Sequence, residues 1–372
     1  MAQPGTLEAF TDFMIATRGL PLAGPNEIFT QLTKHRTYVS RIILAKEKAK
    51  DYFQGGTHLE AALQLSYTPN AAEYNPGDTQ SPVGDTSLTK AYIPWAFTLV
   101  YSVWYDHEIV LNRGEQVQFA NLAMAKRRKM WVDFWDHVED CLWAAPNSQM
   151  EKVAGTETKR IPYSIRAFIT KTGGAPTKDD DGADVDWTTV EQINPTTYTN
   201  WKNQVITYNA TNYLASLPPA LDEMWMAVQF QAPPADGGPS GQEDTDLRKM
   251  RIMTNKEGMK MLLAVNRELK AGNSKVPLVD LSYTNGVLTF NGMPIDYISK
   301  LDSVFEEGKP CFYFINFDHI KLRFHRERYL YAKTFEGTFT QPHANVEYRD
   351  TWWNLVCTNR REQGIVIPEP ET

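Results

Sequence analysis

From Tyr92 to Val110 the chain alternates with period two: Trp95, Phe97, Leu99, Tyr101, Val103 and Tyr105 are bulky, while Ala96, Thr98 and Ser102 between them are small. Successive side chains of a strand point to opposite faces, so this run predicts one long strand with a strongly apolar face. Before it come a shorter strand candidate, Ala61 to Tyr67, and a Pro-, Gly-, Asn- and Asp-rich stretch from Thr68 to Thr89 that reads as a loop tip. Together they form a long hairpin. A lone hairpin cannot bury such a face, which must meet another part of the chain or another subunit.

A long helix follows. Asn112 and Glu115 make a start resembling a capping box, and Val117, Ala120, Met124, Trp131, Phe134, Trp135, Val138 and Leu142 keep a three-four spacing to about Trp143. At 1.5 Å per residue such a helix is about 40 Å long, a backbone around which smaller pieces pack. Lys126 to Lys129 interrupts the stripe and has two readings, a nucleic-acid contact by no more than two of the four or, at least as well supported, a solvated flank. Elsewhere the pattern predicts a Lys-rich helical segment from Val39 to Phe53, a helix from Tyr198 to Leu214 and a strand from Leu217 to Phe230. It also predicts an amphipathic helix from Thr254 to Leu269, a strand and turn from Val287 to Ile295, and surface loops at Lys171 to Trp187 and Pro233 to Asp246. No βαβ rhythm and no repeat emerges, so the class is α+β.

The 372 residues exceed one typical domain, and 42% hydrophobic with 12% aromatic residues is the composition of a folded chain. No run approaches 18 apolar residues, and the opening lacks a basic segment followed by an apolar one, so neither a membrane span nor a signal peptide is expected. Cys141, Cys311 and Cys357 lie apart among apolar neighbours and read as buried, inert thiols. A formal net charge of −7 argues against tight or sequence-specific nucleic-acid binding.

Chemistry-bearing motifs are missing. No phosphate-cradling, dinucleotide-binding or nucleophile-elbow sequence occurs, and His319 and His325 are six apart, outside one-turn zinc spacing. Aligning Gly182 of Asp179 to Asp186 with the glycine of a calcium loop puts Thr177 and Thr188 where end ligands belong, so this run reads as a solvated acidic loop. No catalytic, cofactor-binding or metal-ligating residue is singled out, and no enzyme activity is expected.

Near the C-terminal end the chain reads Phe312-Tyr-Phe-Ile-Asn-Phe-Asp-His-Ile-Lys-Leu-Arg-Phe-His, then Tyr329-Leu-Tyr-Ala-Lys, then Trp353-Asn-Leu-Val-Cys-Thr-Asn-Arg-Arg-Glu-Gln-Gly-Ile-Val. This succession resembles the closing region of major capsid proteins of tailed bacteriophages, the Hong Kong 97-like family. The turn Phe290-Asn-Gly-Met-Pro-Ile resembles a step in that family's axial region. The resemblance implies an N-terminal arm (1–50), an extended hairpin or E-loop (51–111), a peripheral domain with a spine helix (112–190), an axial domain (191–324) and a return to the peripheral domain (325–372).

By the same resemblance the chain is expected to assemble with itself as pentamers and hexamers of a virion head. Portal and scaffolding proteins, a decoration or cement protein, and packaged double-stranded DNA held without sequence-specific contacts are its implied partners. Trp95, Phe97, Leu99, Tyr101, Arg360 and Arg361 are the expected assembly contacts, the two arginines as intersubunit salt-bridge partners. Some family members join subunits through Lys–Asn bonds; Lys90, Asn354 and Asn359 carry no motif connecting them, and no crosslink is expected. A nanocompartment shell enclosing cargo, or an enzyme whose carboxylates meet only in the fold, are the competing readings.

Overall fold

The computed structural model describes residues 35, 37–46, 52–53, 56–65, 73, 75, 88–105, 116–147, 150, 159–176, 185, 187–229, 250–272, 277, 280–284, 286–305, 309–335 and 344–369. Most of the arm, the loop tip between Thr68 and Ser87 apart from Glu73 and Asn75, the Asn112 and Glu115 cap, the acidic run apart from Val185, and the Pro233 to Asp246 loop lie outside the described residues.

Helix α1 (Val39–Lys46) precedes β1 (Tyr52–Phe53), β2 (His58–Gln64), β3 (Leu88–Pro94) and β4 (Ala96–Tyr105). β2 and β3 pair antiparallel, His58 opposite Pro94 through Gln64 opposite Leu88, and form the expected hairpin. The run from Tyr92 onward is two strands and not one. It breaks at Trp95, whose buried indole donates to the carbonyl of Gly56 at 3.2 Å, so that β3 stays with the hairpin while β4 joins another sheet. Next comes α2 (Gln116–Leu142), 27 residues long, followed by the single turn α3 (Ile165–Phe168), capped by the Ser164 hydroxyl.

Beyond α3 the order is β5 (Gln204–Tyr208), α4 (Tyr213–Val228), β6 (Met250–Thr254), α5 (Lys256–Lys270), β7 (Leu281–Thr284), β8 (Val287–Phe290), β9 (Met293–Tyr297), α6 (Leu301–Val304) and β10 (Phe312–Asn316). The helix and strand expected between Tyr198 and Phe230 are therefore reversed. Leu217, Leu221, Met224 and Val228 recur at helical spacing and are buried, and Pro218 and Pro219 sit inside the helix. Two prolines forgo two ladder hydrogen bonds, which packing of the apolar face offsets. Asn255 caps α5 by accepting from the Gly258 amide at 2.9 Å. The turn joining β8 to β9 is Asn291-Gly292 with φ of 45° and 79°, the left-handed pair that a two-residue hairpin demands.

The chain closes with β11 (Ile320–His325), β12 (Tyr331–Phe335), β13 (Ala344–Cys357) and β14 (Gly364–Pro368). A seven-stranded sheet runs β5-β14-β10-β6-β9-β8-β7. Its interior strand β10 is buried on both faces: Phe312 and Phe314 meet Leu217, Met224 and Leu262 of α4 and α5, while Tyr313 and Ile315 enter the main core with Trp143 and Phe168. A five-stranded sheet is organised by β13, which pairs with β4 along one edge and with β11 and β12 along the other. Helix α2 lies against this second sheet.

Candidate assembly surface

The five-stranded sheet is built with inverted polarity. The face turned inward carries Glu347, Thr351 and Trp353 of β13 with Ala96, Thr98 and Trp104 of β4, all buried. Two pairings of polar groups are made there: the Trp353 indole donates to the Thr98 hydroxyl at 2.9 Å, and Arg127 Nε of α2 lies 3.4 Å from Glu347 Oε2. Lys126 Nζ donates to the Val103 carbonyl at 3.0 Å and sits 4.5 Å from the Trp104 ring centroid. Two members of the basic run are thus turned into the sheet, because a stem of methylenes lets each charge reach a partner while covering apolar surface. The reading of that run as a solvated flank fails at Lys126 and Arg127.

The opposite face carries the aromatic side chains outward. Phe97, Leu99, Tyr101 and Tyr105 are 54%, 57%, 64% and 48% exposed, and strand register sets them opposite Trp352, Asp350, Tyr348 and Ala344. Beyond β13, Tyr331 and Phe335 of β12 continue the same face at 47% and 45% exposure. Phe97 meets Trp352 edge-on with centroids 4.9 Å apart, and Phe335 stacks on Tyr348 at 5.1 Å. Cations line the patch: Arg328 lies over Tyr331 at 5.1 Å, and Lys333 Nζ lies over Phe335 at 4.9 Å. Exposed apolar patches of this kind are the ones that interaction surfaces commonly use.

Of the six residues expected as assembly contacts, Phe97, Leu99 and Tyr101 are exposed on this face, and Trp95 and Arg360 are buried. Trp95 is 2% exposed and packs edge-on against His325 at the hairpin base. Arg360 is wholly buried and donates to the carbonyls of Phe168 at 2.8 Å, Trp201 at 2.9 Å and Gly174 at 2.9 Å, so it binds the interior of its own chain and not a neighbour. Arg361 is half-buried, outside the aromatic patch. Tyr105, Tyr331 and Phe335 lie on the same face and are not among those six. Tyr105 continued the period-two run; the other two declare themselves only through pairing with β13.

The groups weighed for a crosslink lie apart in kind. Lys90 is exposed on the hairpin and pairs with Glu60 at 2.9 Å, while Asn354 is buried, accepting from the Tyr163 amide at 2.8 Å and donating to the Pro94 carbonyl at 2.6 Å. All three cysteines are free and buried, and burial pushes the thiols of Cys141 and Cys311 up to about 12. Among the described residues no group of three His, Cys, Asp or Glu side chains converges as a metal site. No helix of the described residues is long and apolar enough to cross a membrane.

The sequence matches no protein-family model and no curated protein. Solved structures do match. The capsid asymmetric unit of cyanophage A-1(L) aligns over 100% of both chains with a TM-score of 0.52 at 10% identity. The capsid of a native GTA particle aligns over 96% of this chain and 98% of its own with a TM-score of 0.50 at 11% identity. The fold thus belongs to the class used by phage capsid subunits. In particular, the described elements have the Hong Kong 97-like capsid fold.

Proposed function

We propose that this chain is a major capsid protein of a tailed bacteriophage, a structural and not a catalytic protein, whose copies form pentamers and hexamers of an icosahedral head around double-stranded DNA. The observation carrying this reading is the inverted sheet: a β-sheet that buries charged side chains and presents Phe97, Leu99, Tyr101, Tyr105, Tyr331 and Phe335 outward needs a partner surface. The full-length fold likeness makes further copies of the chain the fitting partners. In this reading α2 is the spine helix and the β2–β3 hairpin the base of the E-loop, with the arm, axial and peripheral regions divided as the resemblance implies. A closed shell engages many such contacts at once, so each can be modest.

The formal net charge of −7 suits a container that does not grip its contents. Portal, scaffolding and decoration proteins complete the proposed partners, with assembly in the bacterial cytoplasm. Electron microscopy of the expressed chain, with and without a scaffolding partner, tests the reading: closed shells or capsomer rings are the expected result. A stable monomer under all assembly conditions would overturn it.

A further inference from the structure

Outside the sheet face, a cluster of buried and half-buried carboxylates lies where α1 meets α2. Glu139 is fully buried, and its two carboxylate oxygens accept from the backbone amides of Val39 at 2.9 Å and Ser40 at 3.1 Å, the first turn of α1. The Trp143 indole donates to the same carboxylate at 3.1 Å. Alongside, the Tyr38 hydroxyl bonds Asp136, and His35 Nε2 lies 3.5 Å from Asp140, which Lys300 Nζ approaches at 2.9 Å. Asp136, Glu139 and Asp140 fall at i, i+3 and i+4, on one side of α2. The cap of α1 is therefore supplied by another helix about a hundred residues away.

We infer that α1 is a fold-on-docking strap: it is helical only while seated on α2 with Glu139 as its cap, and it leaves that seat without unfolding the rest of the chain. An eight-residue helix is too short to persist alone in water. The residue before its first turn, Tyr38, has no side-chain oxygen able to cap it locally, and its first turn holds no acidic residue. Glu139 is at home in two states. Seated, it is capped by amides and held by the indole; unseated, it is hydrated, whereas an apolar residue at 139 would favour only the seated state. Burial pushes the Glu139 carboxyl up against the opposing pull of the three N–H donors and the Ser40 hydroxyl, so the seat returns less than full hydration did. Among the described side chains of α1, Val39 and Ile43 are the hydrophobic ones that enter the core completely, beside the buried Ser40, while Ile42 and Leu44 pack against it only in part.

Hydrogen exchange of the full-length chain, followed by mass spectrometry, tests this independently of any shell. Peptides covering 37–46 are expected to exchange at least tenfold faster than those covering β10. Glu139→Gln, which cannot offer two acceptors at once, is expected to accelerate the α1 amides about tenfold further while leaving β10 unchanged, in line with the loss of a helix cap. Tyr38→Phe, a milder change at a half-buried ring, is expected to accelerate them by a few-fold and keeps the test available if Glu139→Gln does not fold. Exchange of α1 at the rate of β10 in the unmodified chain, or α1 rates unmoved by the variants, overturns the inference.

Discussion

Arg127 of α2 and Glu347 of β13 stand 3.4 Å apart with both side chains buried, which ties the long helix to the middle strand of the five-stranded sheet. Arg349 Nη2 adds a second cation 3.7 Å from the other carboxylate oxygen. Removing one partner of a buried pair leaves an uncompensated charge, so Glu347→Ala is expected to lower stability by about 3–5 kcal/mol. Urea denaturation of unassembled subunits measures it, and a loss below about 1 kcal/mol would contradict the pairing.

The exposed aromatic face makes the opposite prediction. Leu99→Asp and Tyr101→Asp change residues 57% and 64% exposed, so subunit stability is expected to move by no more than about 0.5 kcal/mol. Assembly is expected to fail. Sedimentation under shell-forming conditions separates the two effects, and particles of normal yield from both variants would remove this face from the interface.

Arg360 joins the segment after α3 to the one before β5 through three carbonyls. Lysine keeps the charge but not the planar fork, leaving at least one buried acceptor unpaired, at a cost of about 1–3 kcal/mol each. Arg360→Lys is therefore expected to lower the denaturation midpoint clearly, and Arg360→Met further. A fully stable lysine variant would show that the fork is dispensable.

Gly258 lies in the first turn of α5, where alanine usually gains about 1 kcal/mol. Here an added Cβ would meet the Thr254 hydroxyl at 2.1 Å and a Phe312 ring carbon at 3.1 Å. That hydroxyl is held by its bond to the Cys311 carbonyl at 2.8 Å, so it cannot retreat freely. Gly258→Ala is expected to destabilise the chain by about 1–3 kcal/mol, as overpacking does. Calorimetry reads the sign directly.

Cys141 and Cys311 titrate near 12 when folded, pushed up by burial, against an ordinary value of 9.0. A group whose folded pKa is raised contributes stability fully below its unfolded pKa and loses it as pH climbs toward the folded one. Stability is therefore expected to hold up to about pH 9 and to decline between about 9 and 12. Denaturation midpoints across that range test the window. At pH 8 the thiols are expected to react with a disulfide reagent only as the chain unfolds, and rapid labelling of the native chain would contradict their burial.

Local pattern revealed what local physics decides. Strand alternation from Phe97 to Tyr105 was legible because side chains of a strand alternate whatever the sheet later meets, and α5 because its apolar spacing and Asn255 cap lie within one segment. Direction was not legible: the aromatic side of β4 faces out because Arg127 and Lys126, from a different element, satisfy the polar side. The segment around Pro218-Pro219 is a helix although proline is ordinarily a helix breaker, and packing of its apolar face against the seven-stranded sheet offsets that preference. Arg360 carried no sign of its burial, since its acceptors come from residues 168, 174 and 201.

The outward rings of β4 and β12 also fix how an interface built on them responds to cooling. Near room temperature, removal of apolar surface from water is driven by entropy, and it weakens as temperature falls. Particles whose subunits adhere chiefly through Phe97, Leu99, Tyr101 and Tyr331 should form more completely on warming and loosen in the cold, while salts excluded from protein surfaces reinforce them.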